Sequence, residues 1–234
     1  MKFVTRTHRG NILQNNQDSY LNVQDITSLH AVADGMGGHL GGNVASAMAI
    51  DALKTIDLKS QPNEQALLQA VDLANRSIWE RQINDPSLSG MGTTLTLLWE
   101  GRDTLFLAHV GDSRAYHFKD GKLEQVTSDH SLVAELLRSG VITPEKARNY
   151  PYRNVITRAV GTNINLRADI MRFPRLPGSR WLLCSDGLTE YAQAEQIIFA
   201  MALPLEEAAD HLLQVALHGG GRDNITLTML EVLK

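Results

Sequence analysis

Cysteine is nearly absent from this sequence: its 234 residues include one, Cys184, inside the apolar run WLLCSDG. That excludes an intrachain disulfide framework and leaves a buried thiol in a reducing compartment as the expectation. Long apolar runs are also missing. No stretch approaches the ~18 residues that a membrane helix needs, and the opening MKFVTRTHRGN lacks the apolar core of a signal peptide. Nor is there an excess of positive charge, because the net charge of −4 offers no basic face for nucleic acid. These absences describe a soluble, cytoplasmic globular chain with no nucleic-acid or membrane partner. Its 43% hydrophobic content supports a substantial core, in one large domain or two small ones.

Several motifs are absent where they would matter. Five glycines occupy the eight positions after Asp34, in VADGMGGHLGGNVAS, and a glycine cluster marks tight turning or close approach of the backbone. No Lys-Ser or Lys-Thr follows them, so they are not a P-loop, and the sixth position from Gly35 is Leu40, so they are not a dinucleotide fingerprint. No G-x-S-x-G elbow accompanies the HGGG at His218–Gly221, which argues against a serine hydrolase.

What is present is a series of short strand-like runs bounded by Gly, Asp or Asn: KFVTRTH, SLHAVAD, TTLTLLWEG, TLFLAHVGD, RAYHF, LRADIMRF, RWLLCSD and NITLTMLEVL. YHFKDGKLEQV reads as a hairpin turned by Asp120-Gly121. Helices lie between them. Asn63 caps EQALLQAVDLANRSIWERQI, which places Leu67, Ala70, Val71, Ala74 and Ile78 on one face. NVASAMAIDALKTI is a second helix, and PLEEAADHLLQVALHGGG a third, opened by Pro204 and stopped at Gly219. Trp79, Trp99 and Trp181 are expected in the core. Residues 129–153 read as a small helical insertion between strands. The arrangement predicts stacked sheets covered by helices rather than a regular alternating βαβ fold.

Four aspartates sit where an apolar strand meets a small residue: Asp34, Asp112, Asp186 and Asp223. Singly, each is explained as a turn former. Together, acids at neighbouring strand ends can converge, and several carboxylates in a dry pocket require positive charge. No lysine accompanies them; the nearest bases are Arg114, Arg222, His39, His109 and His218. All-oxygen ligation without Cys or paired His suits Mg²⁺ or Mn²⁺. The glycines would let the Gly35 carbonyl approach a metal and leave room for a second ion, and two such ions ~4 Å apart form a clamp for phosphoryl transfer to water.

The motifs NNQDSY, VADGMGGHLGGNVAS, GMGTTL, AHVGDSRAY, TSDHSLV, LLRSGVITPEKA, NVITRAVG, LLCSDGL and GRDNITL occur in the order found in metal-dependent protein serine/threonine phosphatases of type 2C (PPM), and the chain resembles the compact stand-alone bacterial members over nearly its whole length. The resemblance implies a single domain over 1–234 with an α+β, four-layer α-β-β-α sandwich: two antiparallel sheets flanked by helices. It implies two Mn²⁺ or Mg²⁺ ions with a weaker third. By position, Asp34 bridges both metals, the Gly35 carbonyl and Asp18 serve the second ion (Asp18 through water), Asp186 and Asp223 hold the first, and Asp112 joins Asp186 at the third. A water bridging the first two metals would attack phosphoserine or phosphothreonine without a phosphoenzyme. Residues 129–153 correspond to the family's mobile flap. The implied partners are phosphoprotein substrates and an opposing bacterial Ser/Thr kinase, with the phosphatase acting as a monomer.

The chain departs from the pattern in three places. Leu13 stands where the family has a phosphate-gripping arginine, and leucine cannot make that bidentate bond, so Arg9 and Arg6 are the replacement candidates. Gln17 replaces an acid. Met36 stands where eukaryotic members have a proton-donating histidine, and His39 is the nearby donor candidate. Leu13 keeps open a catalytically weak sensor or scaffold of the same fold, and the motifs alone also allow a small-molecule phosphatase.

Overall fold

The computed structural model describes residues 1–148 and 150–233, with the side chains of His39, Leu40 and Arg148 outside the description. In chain order the elements are β1 (Lys2–His8), β2 (Asp18–Gln24), β3 (Ser28–Met36), α1 (Gly38–Leu53), α2 (Glu64–Asn84), a 3₁₀ turn (Pro86–Leu88), β4 (Gly92–Thr93), β5 (Leu95–Glu100), β6 (Thr104–Val110), β7 (Arg114–Lys119) and β8 (Lys122–Gln125). Then follow α3 (Leu132–Arg138), α4 (Pro144–Arg148), β9 (Asp169–Pro174), β10 (Arg180–Cys184), α5 (Asp186–Thr189), α6 (Ala194–Met201), α7 (Leu205–Gly219) and β11 (Ile225–Glu231).

Every strand pairing is antiparallel. One sheet runs β1-β11-β10-β7-β8; the other runs β2-β3-β5-β6-β9, with β4 added to the end of β3. Strand alternation then divides the apolar residues among three cores. Val32, Leu98, Leu107, Trp181, Leu183 and Leu230 interdigitate between the sheets. Leu29, Ala31, Ala33, Leu95 and Leu97 face α1 and α2, whereas Leu182, Cys184, Leu227 and Met229 face α6 and α7. Both faces of the central strands are therefore covered, which is why WLLC and LTLLWE are buried at every position. The four-layer α-β-β-α expectation holds, and among the described residues no helix is long and apolar enough to cross a membrane.

Local chemistry sets the boundaries. The Asn63 side chain accepts from the Ala66 amide and caps α2, whose buried face is the expected Leu67, Ala70, Val71, Ala74 and Ile78, joined by Asn75. Asp120 and Gly121 both take positive φ (50° and 78°), the conformation that joins β7 to β8 in a tight hairpin. α1 begins at Gly38, inside the glycine run rather than after it. The run serves close packing: a Cβ on Gly35 would lie 2.1 Å from the Gly42 carbonyl oxygen, so β3 and the first turn of α1 meet backbone to backbone.

Some elements depart from the sequence pattern. β2 carries no apolar run, because its inner face bears Asp18 and Asn22. α6 is too short to show a clear helical period, although Gln193 and Gln196 form its reciprocal capping box. Trp99 and Trp181 are buried, but Trp79 is only half-buried on α2. Cys184 is fully buried, and burial pushes its thiol up to about 12. Between β8 and β9 the described residues include two short helices, α3 and α4.

Candidate active site

Antiparallel register places Asp18 directly opposite Asp34 at one end of the β2–β3 pair. Both belong to the set whose neighbours, Asn22, His30 and Val32, point toward the second sheet, so their carboxylates emerge between the sheets. From that second sheet come Asp186, at the start of α5 just beyond β10, and Asp223, two residues before β11. Asp112 lies in the turn from β6 to β7. Five elements thus end around one spot.

The surrounding hydrogen bonds hold these ends. Ser185 Oγ donates to Asp18 Oδ2 at 2.8 Å and accepts from the Thr226 amide at 2.9 Å, tying the two sheets together. Thr94 Oγ1 accepts from the Asp34 amide at 2.9 Å and pairs with Ser113 Oγ at 2.7 Å, which links the Asp34 strand to the Asp112 turn. Asn224 is buried and fully used: Oδ1 accepts from the Gln17 amide at 2.8 Å, and Nδ2 donates to the Arg9 and Asn15 carbonyls at 3.0 and 2.9 Å. It locks the loop before Asp18 to the loop of Asp223. Nothing local in the sequence marks Ser185 or Asn224 for these roles, because their partners lie in distant segments.

The carboxylates are electrostatically unsettled. Burial, with repulsion from Asp186 and Asp223, pushes Asp18 up to about 7 against the relief of its hydroxyl partners. Burial and then Asp186 and Asp129 push Asp112 up to about 8, and burial and then Asp223 push Asp186 up to about 6. Asp34 is held well above the ordinary range by burial and by Asp18, Asp186, Asp112 and Asp223. Asp34 and Asp186 are within hydrogen-bonding reach of each other. One oxygen each of Asp18, Asp112 and Asp186 is buried without any partner.

A cleft of about 600 Å³ opens onto this cluster, bordered by Asp112, Asp186 and Asp223 and by Ser131, Arg153 and Asn154. Two arginines line it. Arg114 is bound bidentately by Asp129 (2.9 and 2.6 Å), and Arg153 pairs with Glu190 at 2.9 Å. Arg114 is thus held by Asp129, and its charge only partly offsets burial and repulsion at Asp112 and Asp186.

The arginines proposed from sequence fare differently. Arg6 is not in the site, because β1 alternation turns it outward onto α7, where Nε and Nη2 bond Asp210 (2.6 Å) and Glu206 (2.8 Å). The Arg9 backbone is tied to the Asp223 loop through Asn224, and its exposed guanidinium makes one 3.4 Å contact to the Gln14 carbonyl. Leu13 is exposed on the same loop. Arg222 is exposed beside Asp223. The backbone of His39 lies in the first turn of α1, and its side chain falls outside the described residues.

The residues present suit hard divalent cations. Unpartnered buried carboxylate oxygens need either protons or metal, and an all-oxygen donor set selects Mg²⁺ or Mn²⁺ over zinc. Among the described residues no three acidic, His or Cys side chains are already drawn to one point at ligating distance, so closure requires side-chain rotation and water.

The description "Protein phosphatase 2C" matches residues 6–218. The chain is 39% identical over its full length to serine/threonine protein phosphatase PstP of Mycobacterium tuberculosis, of which it spans 45%. It is 38% identical to serine/threonine phosphatase stp of Listeria monocytogenes, with 97% of this chain and 94% of the relative covered. It superposes with a TM-score of 0.90 and 37% identity on the catalytic domain of PstP solved in complex with two manganese ions, covering 100% of this chain and 98% of that one. With fold, acid cluster and cleft in agreement, this chain belongs to the protein phosphatase 2C family.

Proposed function

We propose that the chain is a metal-dependent protein serine/threonine phosphatase, a single PPM domain that acts as a cytoplasmic monomer. The observation that carries this reading is the convergence of Asp18, Asp34, Asp112 and Asp186 with three of their oxygens buried and unpartnered. Such a cluster costs folding energy, and it makes sense as a site whose charge is completed from outside. The relatives named serine/threonine phosphatases, and the manganese in the PstP domain, support the reading.

Asp34, Asp186, Asp223 and the Gly35 carbonyl would hold two ions, with Asp18 beside the second and Asp112 toward a third. Bound there, the ions supply Lewis acidity and an activated water for in-line hydrolysis of a phosphate monoester. The chain's own residues do the remaining work. Ser185 and Asn224 fix the positions of Asp18 and Asp223, and Thr94 fixes Asp34 against the Asp112 turn. The cleft under the flap would admit a phosphorylated side chain, and Arg9, whose backbone is tied to the Asp223 loop through Asn224, is the candidate to meet its phosphate. A His39 side chain reaching the leaving oxygen would supply its proton. A substrate of this kind must be made by a Ser/Thr kinase, which is the opposing activity.

Leu13 favours one other reading, a poorly catalytic scaffold, since the substrate phosphate loses its bidentate partner there. Hydrolysis of a phosphothreonine peptide by the purified protein, titrated with Mn²⁺ and quenched with EDTA, separates the two. Metal-dependent release of phosphate is the expected result. Folded, metal-saturated protein without turnover overturns the enzyme reading. Turnover of sugar phosphates but not of the peptide would move the substrate to small metabolites.

A further inference from the structure

Behind the cleft, one fully buried histidine joins three segments that the sequence keeps apart. His130 Nδ1 accepts from the Gly111 amide at 3.1 Å, and the His130 amide donates to the Gly111 carbonyl at 2.8 Å. Gly111 immediately precedes Asp112. The His130 carbonyl accepts from the Thr157 amide at 2.7 Å, and the next residue, Ser131, bridges Ile156. Both roots of the flap therefore close on His130. Its Nε2 meets Asp169 Oδ2 on β9 at 3.1 Å, and Asp169 Oδ1 holds Arg158 of the returning root at 2.9 Å. The ring is packed against His109 with 4.8 Å between centroids.

The chemistry of these contacts fixes the ring. A backbone amide can donate to Nδ1 only if that nitrogen is unprotonated, so the proton resides on Nε2 and points at the Asp169 carboxylate. The histidine has no exposed surface and faces none of the reacting groups. We propose that His130 is a positioning residue that makes the flap root and the Asp112 turn one mechanical unit. The placement of the Asp112 carboxylate in the cleft is then set by the flap, and displacement of the flap root carries Asp112 with it. The inference rests on the phosphatase reading only for its effect on turnover; the coupling itself is a property of the fold.

Two amide variants separate the two nitrogens. Asparagine places an acceptor near Nδ1, and glutamine reaches toward Asp169 but abandons Gly111. In the full-length protein, His130→Gln should speed amide hydrogen exchange over residues 111–114 together with 130–132 and 155–158, and His130→Asn should restore protection at 111–114. Faster exchange at the flap roots with 111–114 unchanged overturns the proposal. If His130→Gln does not fold, Asp169→Ala, at a side chain 40% exposed, removes the Nε2 partner together with the Arg158 pair while leaving the Gly111 contact intact, and the same pairing of segments is expected.

Turnover gives a second, independent arm. His130→Gln should lower kcat by about 10-fold, the low end for partners that orient a metal ligand. In an Asp112→Asn background it should cost almost nothing further, because both changes act on the same carboxylate. Effects that multiply would mark His130 as merely structural. If the unaltered protein with Mn²⁺ hydrolyses no phosphopeptide, the phosphatase reading falls, and the exchange arm still decides the coupling.

Discussion

Replacing Asp34 with asparagine should raise the melting temperature of the metal-free protein and abolish its stabilisation by Mn²⁺. Asp34 sits among Asp18, Asp186, Asp112 and Asp223, which with burial hold its carboxyl well above the ordinary range. Two carboxylates ~4 Å apart repel by about 4 kcal/mol at an effective dielectric of 20. The cluster escapes part of that by retaining protons near neutrality, with Asp18 at about 7 and Asp112 at about 8. A neutral amide of the same shape therefore recovers a fraction, on the order of 1–2 kcal/mol. At this chain length that is roughly 2–8 °C in midpoint. The unaltered protein, with Mn²⁺ at 100 times its Kd, gains about 2.7 kcal/mol for each ion bound, or roughly 5–11 °C. Thermal melts followed by circular dichroism, in EDTA and across a Mn²⁺ titration, read both quantities. A variant that melts lower than the parent in EDTA, or keeps the parent's Mn²⁺ increment, refutes the assignment of Asp34 as a shared ligand.

The same cluster predicts a pH dependence. Carboxyls raised from 3.8 to about 6, 7 and 8 contribute stability that is complete below pH 3.8 and lost as pH rises through those values. Buried His30 and His109, lowered to about 3 and 4, oppose this only below pH 6.5. In EDTA the midpoint should therefore fall between pH 6.5 and 8, and a flat or rising midpoint there would contradict the under-compensated cluster. Arg6→Ala should leave KM for a phosphopeptide unchanged, since its guanidinium is held on α7, whereas Arg9→Ala should raise KM by about 10-fold, the value of one charge-assisted hydrogen bond; steady-state kinetics on the pair tests both. Leu13→Arg, at an exposed position, should lower KM by a similar ~10-fold factor without shifting the melting temperature, and no change in KM would remove that position from the phosphate site. Asn224→Ala breaks three part-buried bonds and should cost ~2–3 kcal/mol of stability in denaturant melts, where a loss below about 0.5 kcal/mol would deny its role as the clamp between loops.

The ordered motifs were legible because each is a local event. Asp34, Asp112 and Asp186 follow apolar strands whose period and β-branched content announce them, and the α2 cap and hairpin turn are set by residues within a few positions. β2 was not legible, because Asp18 and Asn22 occupy the face toward the second sheet and leave a single alternate apolar pair, Leu21 and Val23, too short a pattern to announce a strand. Arg6 was misplaced for a related reason. Sequence distance put it near the site, while strand alternation put it on the opposite face.

Periodicity by itself determined stacked sheets covered by helices and the acids at the strand ends, which depend on residue type and near neighbours, and the order of the motifs carried the resemblance to type 2C phosphatases that implied the four-layer sandwich. Only the tertiary structure decided which atoms meet. It assigned Ser185 to Asp18, Asn224 to the loop before Asp18, and His130 to both the flap root and the Asp112 turn, contacts made by polar side chains across as many as 215 residues of chain. No local pattern encodes them, because hydrogen-bond geometry is satisfied only when the strands that carry the partners have packed.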